Sequence, residues 1–343
     1  MKALNLYGVG DLRYDEVARP VPAADEVLLQ VKAVGICGSD IPRVYEKGTY
    51  HFPTIIGHEF AGEIVEAADA SLVGRGAAVF PLLPCGSCEA CQSGHYAQCS
   101  HYDYYGSRRD GAMSEFLAVK KKNLVFMPAG VSYREAAMSE PAAVAHHAFK
   151  KSGIGMGDTL VIFGVGPIGL ILAGWARDAG AEHIILVARS EARTSFAHQL
   201  GFLQAIDSTE VDVKSYILEQ TDGRGADACI EGTGSSAALE LCLQCTRNFG
   251  RVVTMGNPGG DMALSQQAYW QILRRELSLI GTWNSSFSAA DNDWQAVMTA
   301  MRDKVIDAEA LITHTFALRD YERAFSLMHE KKEFYCKVMF VNE

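Results

Sequence analysis

The chain has 343 residues, which is long enough for two domains and a large hydrophobic core. Its formal net charge of −10 argues against nucleic acid as a partner and against binding to an anionic membrane surface. The N-terminus, MKALNLYGVGDLRYDE, lacks the apolar stretch typical of a secretory signal. We therefore expect a cytoplasmic protein whose nine cysteines bind metal or pack in the core.

The first 36 residues are predicted to form β structure. Val27, Leu29 and Val31 alternate with other residues and therefore share one face of a strand. Pro20 and Pro22 precede this strand and mark a break in the pairing.

Three segments that follow carry side chains of the kinds that bind zinc. Cys37 lies in the glycine-flanked loop GICGSD, and His58 lies in the turn GHEFAG. Glu140 lies with Pro141 at the start of a helix predicted to continue through residues 142–150. Three protein ligands leave one position on a zinc ion open for water or substrate. Each residue also has an ordinary structural explanation, as a core cysteine, a hydrogen-bonded histidine or a first-turn carboxylate. Spacing alone does not decide between these alternatives.

A second group of thiols is concentrated in fifteen residues, and its members are Cys85, Cys88, Cys91 and Cys99. Four thiolates at this spacing predict a closed, tetrahedral zinc site in a lobe spanning residues 81–102. Such a site holds a loop that has too little apolar surface to pack by itself. The alternatives are a redox-active dithiol and an iron–sulfur cluster.

The segment LVIFGVGPIGLILAGWA, residues 160–176, combines an apolar strand pattern, three glycines and a helical pattern. Gly164 allows a tight turn, Gly166 lets the backbone approach a pyrophosphate, and Gly169 lets the helix pack against the strand. The free amides at the helix N-terminus suit the phosphates. The glycines, Pro167 and the short length argue against a membrane span. We predict a dinucleotide site that also includes Ile168.

From about residue 150 to residue 280, predicted strands alternate with predicted helices such as residues 190–200 and 235–246. This alternation predicts a mostly parallel, doubly wound sheet. Cys229, Cys242 and Cys245 lie on apolar faces of these elements and are expected to pack in the core. The predicted strands span residues 159–163, 183–188, 226–231, 251–255 and 277–282.

The end of the second of these strands indicates which cofactor binds. NAD sites usually carry Asp or Glu at this point, because a carboxylate accepts a hydrogen bond from the ribose 2′-hydroxyl. This chain instead has Ala188-Arg189-Ser190, with Arg193 one turn later. A guanidinium suits a 2′-phosphate, so we expect NADP(H) to be favoured over NAD(H). In the alternative interpretation, Arg189 lies over the adenine of NAD.

Taken in order, these motifs resemble the zinc-dependent medium-chain dehydrogenases over essentially the whole chain. The matching segments are CGSD at 37–40, GHEFAG at 57–62, the four-cysteine lobe, Glu140-Pro141 and GVGPIG at 164–169. Two further segments, PLLPC at 81–85 and YDYYGSRRDG at 102–111, are similar to the sorbitol (polyol) dehydrogenase branch. Within that branch they are most like the enzymes that act on galactitol-1-phosphate.

The resemblance implies a catalytic zinc ion held by Cys37, His58 and Glu140, with Glu59 as an alternate ligand or ligand-exchange partner. It also implies that Ser39 hydrogen-bonds the substrate hydroxyl.

One position departs from the family pattern. Many relatives carry a histidine two residues after Asp40, where it relays a proton, and this chain has Pro42. Proton exit is therefore expected to use water or another group, which stays unassigned.

The resemblance implies an α/β fold with three chain segments. A β-rich GroES-like catalytic domain spans residues 1–150, and a Rossmann cofactor domain spans residues 151–282. Residues 283–343 return to the catalytic domain and end in a strand predicted at 333–342. A homo-oligomer, either a dimer or a tetramer, is expected, with residues 277–280 pairing across a dimer axis.

Arg108 and Arg109 follow the lobe closely, and the resemblance places this loop near the outer end of the substrate cleft. A phosphorylated substrate needs a local guanidinium site, because the net charge of −10 repels anions at long range. In the alternative, the two arginines pair with Asp103 and Asp110 or contact another subunit. Weaker candidates for lining the same cleft are Tyr50, Trp283 and Asn284.

These observations predict an enzyme with two zinc ions per chain that interconverts a polyol phosphate and the keto-sugar phosphate by hydride transfer with NADP(H). One alternative is a dehydrogenase of free polyols such as sorbitol. The other is a nucleotide-binding relative without hydride chemistry. It is disfavoured because Cys37, His58 and Glu140 are all present.

Overall fold

A computed structural model describes residues 1–342. The strands, in chain order, are β1 Lys2–Gly8, β2 Asp11–Glu16, β3 Glu26–Gly35, β4 Thr54–Ile55, β5 Glu59–Ala67, β6 Gly76–Val79, β7 Leu82–Leu83, β8 Asp103–Tyr104, β9 Phe116–Lys120, β10 Leu124–Phe126, β11 Thr159–Phe163, β12 His183–Ala188, β13 Ala205–Asp207, β14 Ala226–Glu231, β15 Thr246–Thr254, β16 Ser278–Gly281, β17 Ile312–Phe316 and β18 Lys337–Val341.

The α-helices are α1 Asp40–Pro42, α2 Glu89–Gln92, α3 Tyr133–Ala137, α4 Ser139–Ser152, α5 Pro167–Asp178, α6 Glu191–Gln199, α7 Val213–Gln220, α8 Ser236–Cys245, α9 Gln266–Arg274, α10 Asp293–Arg302 and α11 Tyr321–Glu330. A π-helical turn spans Arg43–Lys47. Single 3₁₀ turns span Ala70–Leu72, Tyr96–Gln98, Lys121–Asn123, Glu309–Leu311 and Leu318–Asp320.

The chain folds into two compact units. One comprises residues 1–143 and the described residues from 285 onward, and the other comprises residues 144–284. The sequence analysis set the corresponding boundaries after residues 150 and 282.

The first unit is built on a seven-stranded sheet with the order β10-β6-β5-β3-β18-β17, in which β9 also pairs with β3. Val27, Leu29 and Val31 of β3 are fully buried, as their alternation predicts. The strand β18 pairs antiparallel with β3, so the C-terminal segment lies in the same sheet as the N-terminal one. Smaller sheets are formed by β2-β1-β4 and by β7-β8.

The second unit is a six-stranded sheet with the order β13-β12-β11-β14-β15-β16, and every neighbouring pair is parallel. This order is that of a doubly wound dinucleotide-binding fold. All five residues of the central β11 are buried, which explains its continuous apolar sequence. The α/β prediction is confirmed.

Most of the predicted strands in this unit are confirmed, and β11, β12 and β14 have the predicted limits. The strand predicted to begin at Arg251 begins instead at Thr246. Its first residue, Thr246, already pairs with Ala226 of β14, ahead of the regular pairing that starts at Arg251. The register shifts between Ala226 and Ala228, and Ala228 then pairs with Arg251. The short strand β13 was not predicted, since three residues are too few to show the hydrophobic periodicity of a strand.

The apolar segment at residues 160–176 forms most of β11, the glycine turn and the first part of α5. Among the described helices, none is both long enough and apolar enough to cross a membrane. Cys229, Cys242 and Cys245 are fully buried in the core of this unit, as predicted.

Candidate active site

Cys37 lies two residues beyond β3 and is fixed by the short helix α1. Its backbone amide donates a hydrogen bond to Oδ2 of Asp40 at 3.0 Å, and the hydroxyl of Ser39 donates to its sulfur at 3.3 Å. Nη1 of Arg43 donates to Oγ of Ser39 at 2.9 Å and to Oδ1 of Asp40 at 3.1 Å. Ser39 is therefore fixed between the Cys37 sulfur and the Arg43 guanidinium.

His58 lies between β4 and β5, and Asp40 from the cysteine loop lies next to its ring. Its Nδ1 is 3.6 Å from Oδ1 of Asp40, which is longer than a hydrogen bond, and this buried nitrogen has no hydrogen-bond partner among the described residues. A carboxylate that faces one ring nitrogen orients the imidazole so that the other can bind a metal.

Cys37, His58 and Glu59 together form the first candidate metal site. One ligand atom of each residue lies within 4.8 Å of the other two. Burial, reinforced by the charges of Glu59 and Asp40, raises the pKa of the Cys37 thiol to about 12. A thiolate is therefore unfavourable here unless a cation lies beside it. Because thiolate, imidazole and carboxylate are all zinc ligands, this donor set fits a zinc ion.

Among the described residues, the group with mutual distances under 4.8 Å does not include Glu140. Glu140 lies in the first turn of α4, is buried, and accepts a hydrogen bond from the hydroxyl of Tyr104 at 3.2 Å. Burial raises the pKa of Glu140 to about 7, and the charge of Glu59 adds to this effect. The Tyr104 ring also meets the edge of the His58 ring, with 5.7 Å between the centroids. Glu140 thus lies beside the site, whereas Glu59 lies in it.

The cysteine lobe forms the second candidate metal site, and the four sulfurs of Cys85, Cys88, Cys91 and Cys99 all lie within 4.8 Å of one another. The Cys91 sulfur is 3.4 Å from that of Cys88 and 3.9 Å from that of Cys85. Sulfurs around a tetrahedral zinc ion with Zn–S bonds of about 2.3 Å are about 3.8 Å apart. Hydrogen bonds from the amide and hydroxyl of Ser87 lower the pKa of Cys85 to about 5. The lobe therefore fits a structural zinc ion.

The glycine turn joins β11 to α5, with Gly166 immediately before the helix and Pro167 as its first residue. A Cβ atom on Gly169 would lie 2.0 Å from the carbonyl oxygen of Gly164, so only glycine fits there. A Cβ atom on Gly166 would meet nothing within 4 Å. The surface at Gly166 is therefore open to a ligand, as a pyrophosphate site requires. Nη1 of Arg193 donates to the carbonyl oxygen of Val165 at 2.9 Å.

The end of β12 carries no carboxylate. Ala188 is buried, Arg189 is exposed, and Ser190 precedes α6. Asp207 of β13 pairs in register with Ala188, but its Oδ1 accepts hydrogen bonds from the amide and hydroxyl of Thr209 at 2.9 and 2.8 Å. The Asp207 carboxylate thus stabilises the turn that follows β13 through its hydrogen bonds with Thr209.

The two arginines after the cysteine lobe have different environments. Arg109 lies 3.5 Å from Asp103 in an ion pair, and Oδ1 of Asp110 accepts the amide of Ile55 at 2.9 Å. The predicted alternative of an ion pair therefore holds for Arg109. Arg108, in contrast, forms no ion pair with any carboxylate that the structure describes.

The guanidinium of Arg108 lies over two tyrosine rings, 4.0 Å from the centroid of Tyr50 and 4.6 Å from that of Tyr102. The neighbouring turn is fixed to the same loop, since His51 Nε2 lies 3.1 Å from the Arg108 carbonyl oxygen. Two other candidates belong to the other compact unit, where Trp283 is about half exposed and Asn284 has a positive φ of 56°.

Comparison with known proteins shows the family to which the chain belongs. A model of the zinc-binding dehydrogenases matches residues 167–303, and a model of the alcohol dehydrogenase GroES-like domain matches residues 23–129. Sorbitol dehydrogenase of Halalkalibacterium halodurans is 34% identical over 95% of this chain and 95% of its own length. The chain belongs to the zinc-binding medium-chain dehydrogenases.

This medium-chain dehydrogenase is also similar to galactitol-1-phosphate dehydrogenases, both in sequence and in structure. Galactitol 1-phosphate 5-dehydrogenase of Escherichia coli K12 is 30% identical over 90% of this chain and 91% of its own length. The crystal structure of galactitol-1-phosphate dehydrogenase from Escherichia coli covers 100% of both chains with a TM-score of 0.93 and 28% identity. The chain is thus an NAD(P)-dependent zinc alcohol or polyol dehydrogenase with a GroES-like and a Rossmann domain.

Three residues of this dehydrogenase site were missed by the sequence analysis. Lys337 is buried and donates to Glu59, Arg43 contacts Ser39, and Tyr104 contacts Glu140. Burial alone would lower the pKa of Lys337, but the charges of Glu59, Cys37 and Glu140, together with the hydrogen bond to Glu59, raise that pKa above its usual value. A lysine that interrupts the apolar run of the last strand was the only signal for Lys337 in the sequence.

We predict that the two metal sites respond differently to mutation. Cys37→Ala should abolish activity with little change in melting temperature, because the open site contributes chemistry. Cys88→Ala should lower the melting temperature and soluble yield, because binding of a structural metal is part of the folding free energy. Zinc content, thermal unfolding and activity of both variants check this. Full activity of a metal-depleted Cys37→Ala protein would show that Cys37 holds no catalytic ion.

A matched pair of glycine variants separates folding from cofactor binding. Gly169→Ala should cost roughly 1–3 kcal/mol of unfolding free energy, because the new methyl group overlaps the Gly164 carbonyl. Gly166→Ala should keep the stability and instead weaken NADPH and NADH binding. Chemical unfolding and fluorescence titration measure the two effects. Equal cofactor affinity of Gly166→Ala and wild type would place the pyrophosphate elsewhere.

Proposed function

We propose that this dehydrogenase interconverts a polyol phosphate of the galactitol-1-phosphate type and the corresponding keto-sugar phosphate with NADP(H). The observation that carries the proposal is the guanidinium of Arg108, which lies over two tyrosine rings and pairs with no carboxylate of the described chain. The likeness to galactitol 1-phosphate 5-dehydrogenase supports the proposal. A dehydrogenase of free polyols is the second candidate, favoured by the likeness to sorbitol dehydrogenase.

The catalytic zinc is assigned to Cys37 and His58 together with a carboxylate from Glu140 or Glu59, and the structural zinc to the lobe. When bound, the catalytic ion polarises the reacting oxygen, and the nicotinamide carries the hydride. The side chains of the protein bind the substrate and orient its reacting carbon and oxygen toward the ion and the nicotinamide.

Ser39 is the proposed contact for the reacting hydroxyl of the substrate. Its hydroxyl group is next to the Cys37 sulfur and is fixed by Arg43, so its direction is set before substrate binds. A guanidinium stays protonated at neutral pH, so Arg43 orients Ser39 but does not accept a proton. Because Pro42 takes the place of the relay histidine of many relatives, no side chain at this position relays the proton.

The cofactor preference rests on the end of β12. Arg189 is exposed and makes no hydrogen bond or ion pair with the described residues, so it is available to a 2′-phosphate. Arg193 is fixed to the glycine turn through Val165 and adds a second positive charge in the same unit. Asp207, the acidic residue in register with Ala188, is occupied by Thr209. These features support NADP(H) over NAD(H).

Arg189→Ala should weaken NADPH binding by about 1.5–3 kcal/mol, the scale of a hydrogen bond to a charged group, and should leave NADH binding nearly unchanged. Ala188→Asp should shift the preference toward NADH, because a carboxylate repels the 2′-phosphate and suits the 2′-hydroxyl. Steady-state kinetics with both cofactors give the result. A wild-type enzyme with equal or higher kcat/KM for NAD would refute this preference.

The position of Arg108 relative to the metal ligands supports a role at the far end of the substrate. Its guanidinium lies on Tyr102, the Tyr102 ring meets the edge of Tyr104 with 6.3 Å between centroids, and Tyr104 contacts both His58 and Glu140. An aromatic wall thus runs from the metal ligands to a guanidinium within one compact unit. A substrate with a reacting hydroxyl at one end and an anionic group at the other matches this arrangement.

The substrate prediction compares Arg108→Ala with Arg109→Ala as a matched control. Arg108→Ala should lower kcat/KM for galactitol-1-phosphate by about 10- to 100-fold, because one charge-assisted contact to phosphate is lost, and should leave free galactitol and sorbitol nearly unaffected. Arg109→Ala should change both substrate classes equally, since Arg109 already pairs with Asp103. A panel of pentitol and hexitol phosphates and free polyols provides the kinetics.

Two results would contradict the phosphate assignment. The first is a wild-type enzyme that prefers free sorbitol over every polyol phosphate in the panel. The second is an equal loss for phosphorylated and free substrates in Arg108→Ala. Either result would favour the second candidate, a dehydrogenase of free polyols. Binding of NADPH without turnover of any substrate would instead favour a nucleotide-binding relative without hydride chemistry.

We further propose that the chain forms a homo-oligomer through the edge of the parallel sheet. The strand β16 is the last strand of that sheet, and its Leu279 is 45% exposed. The nearby chain also exposes large apolar side chains on helix α9, namely Tyr269, Trp270 and Leu273. An unpaired strand edge with exposed apolar groups suits pairing with a second copy.

A further inference from the structure

The last strand of the chain buries a charged ammonium group that the proposed reaction does not use. Lys337 begins β18 and is 4% exposed, whereas the residues that follow it in the strand are apolar. Its Nζ donates a hydrogen bond to the carbonyl oxygen of Ile36 at 3.0 Å and another to Oε2 of Glu59. Both acceptors lie next to Cys37 or His58 in sequence, so the ammonium group adjoins the first candidate metal site.

The pair is locked in place by the strands on either side of Gly35. Gly35 of β3 pairs with Glu59 of β5 on one side and with Met339 of β18 on the other. A Cβ atom at Gly35 would lie 2.3 Å from Oε2 of Glu59 and 2.7 Å from Cε of Lys337. The absent side chain at Gly35 thus provides the space in which the two charged groups meet.

A buried ion pair of this kind is weak evidence for a role in stability. Two charges lose their hydration on burial, and a well-packed apolar pair of similar size often stabilises a fold equally well. The position of Glu59 provides a different explanation. One of its ligand atoms lies within 4.8 Å of ligand atoms of Cys37 and His58. Its second oxygen, Oε1, accepts no hydrogen bond from the part of the chain that the structure describes.

We propose that Lys337 is a positioning residue that competes with the metal for Glu59. The ammonium group holds one carboxylate oxygen, so Glu59 approaches a metal at Cys37 and His58 only as a weak, exchangeable ligand. This inference rests on the zinc assignment of the proposed function but not on the substrate or the cofactor.

The test measures metal binding rather than turnover. In Lys337→Met, Glu59 loses its partner and should become a full ligand. We expect the chelator-induced release of the more labile zinc ion to slow by about tenfold or more. A tenfold slower release corresponds to about 1.4 kcal/mol of additional stabilisation of the bound ion. The visible spectrum of the Co²⁺-substituted protein should change as well, because the ligand set changes. In the double variant Glu59→Gln/Lys337→Met, the release rate should return to that of Glu59→Gln.

Lys337→Arg provides a second variant that keeps the buried charge and is therefore suited to the case in which Lys337→Met does not fold. A guanidinium binds both oxygens of a carboxylate, so Glu59 should be withdrawn from the metal and zinc release should become faster. Unchanged zinc release and an unchanged Co²⁺ spectrum in the folded variants, with only a lower melting temperature, would overturn the proposal.

The two proposals fail in different ways. If wild-type protein retains only the zinc of the cysteine lobe after purification with excess metal, the zinc assignment of the proposed function is wrong. If wild type holds both ions and Lys337 variants release the labile ion at the wild-type rate, the role of Lys337 alone is wrong.

Discussion

The first candidate metal site depends on the pairing of three strands at one point, the end of β3. There, Gly35 pairs with Glu59 of β5 and with Met339 of β18, and Cys37 follows two residues later. Strand pairing fixes neighbouring backbones about 4.8 Å apart, so a thiol, an imidazole and a carboxylate from distant segments meet without any local sequence motif joining them. The same pairing brings in Lys337 from the C-terminal segment. A ligand set assembled in this way is rigid because the sheet itself positions it.

The two candidate metal sites show why one was predictable from spacing and the other was not. The four lobe cysteines lie within fifteen residues, so a short chain suffices to bring their sulfurs within 4.8 Å. Cys37, His58 and Glu140 span about a hundred residues, and only the family resemblance joined them. The structure brings Cys37 and His58 together, but it groups Glu59 with them, whereas Glu140 lies beside them on Tyr104. The two carboxylates differ in their side-chain contacts, Glu59 with Lys337 and Glu140 with Tyr104, and spacing contains no information on either contact.

The same distinction between local and non-local information holds for the fold. The strands β11, β12 and β14 were predicted at their observed limits. The signal was clearest for β11, because a strand buried on both faces is a continuous apolar run. The early start of β15 and the existence of β13 depend on pairing with a neighbour, so their own residues gave no clear signal. The environments of the two arginines after the lobe likewise depend on contacts that the local sequence does not specify. Arg108 and Arg109 are adjacent and chemically identical in the sequence, and only the positions of Tyr50, Tyr102 and Asp103 distinguish them.

That distinction bears on how a chain with a net charge of −10 can recognise phosphate groups. At long range the protein repels anions, so recognition requires guanidinium groups that are not neutralised by nearby carboxylates. Several arginines have such partners, as Arg109 does with Asp103 and Arg247 with Asp227. Arg108 avoids this because it lies over two tyrosine rings and pairs with no carboxylate that the structure describes. Contact with the rings orders the guanidinium without neutralising it, so its positive charge stays available to an anion. Aromatic packing thus provides a fixed positive charge where an ion pair would have cancelled it.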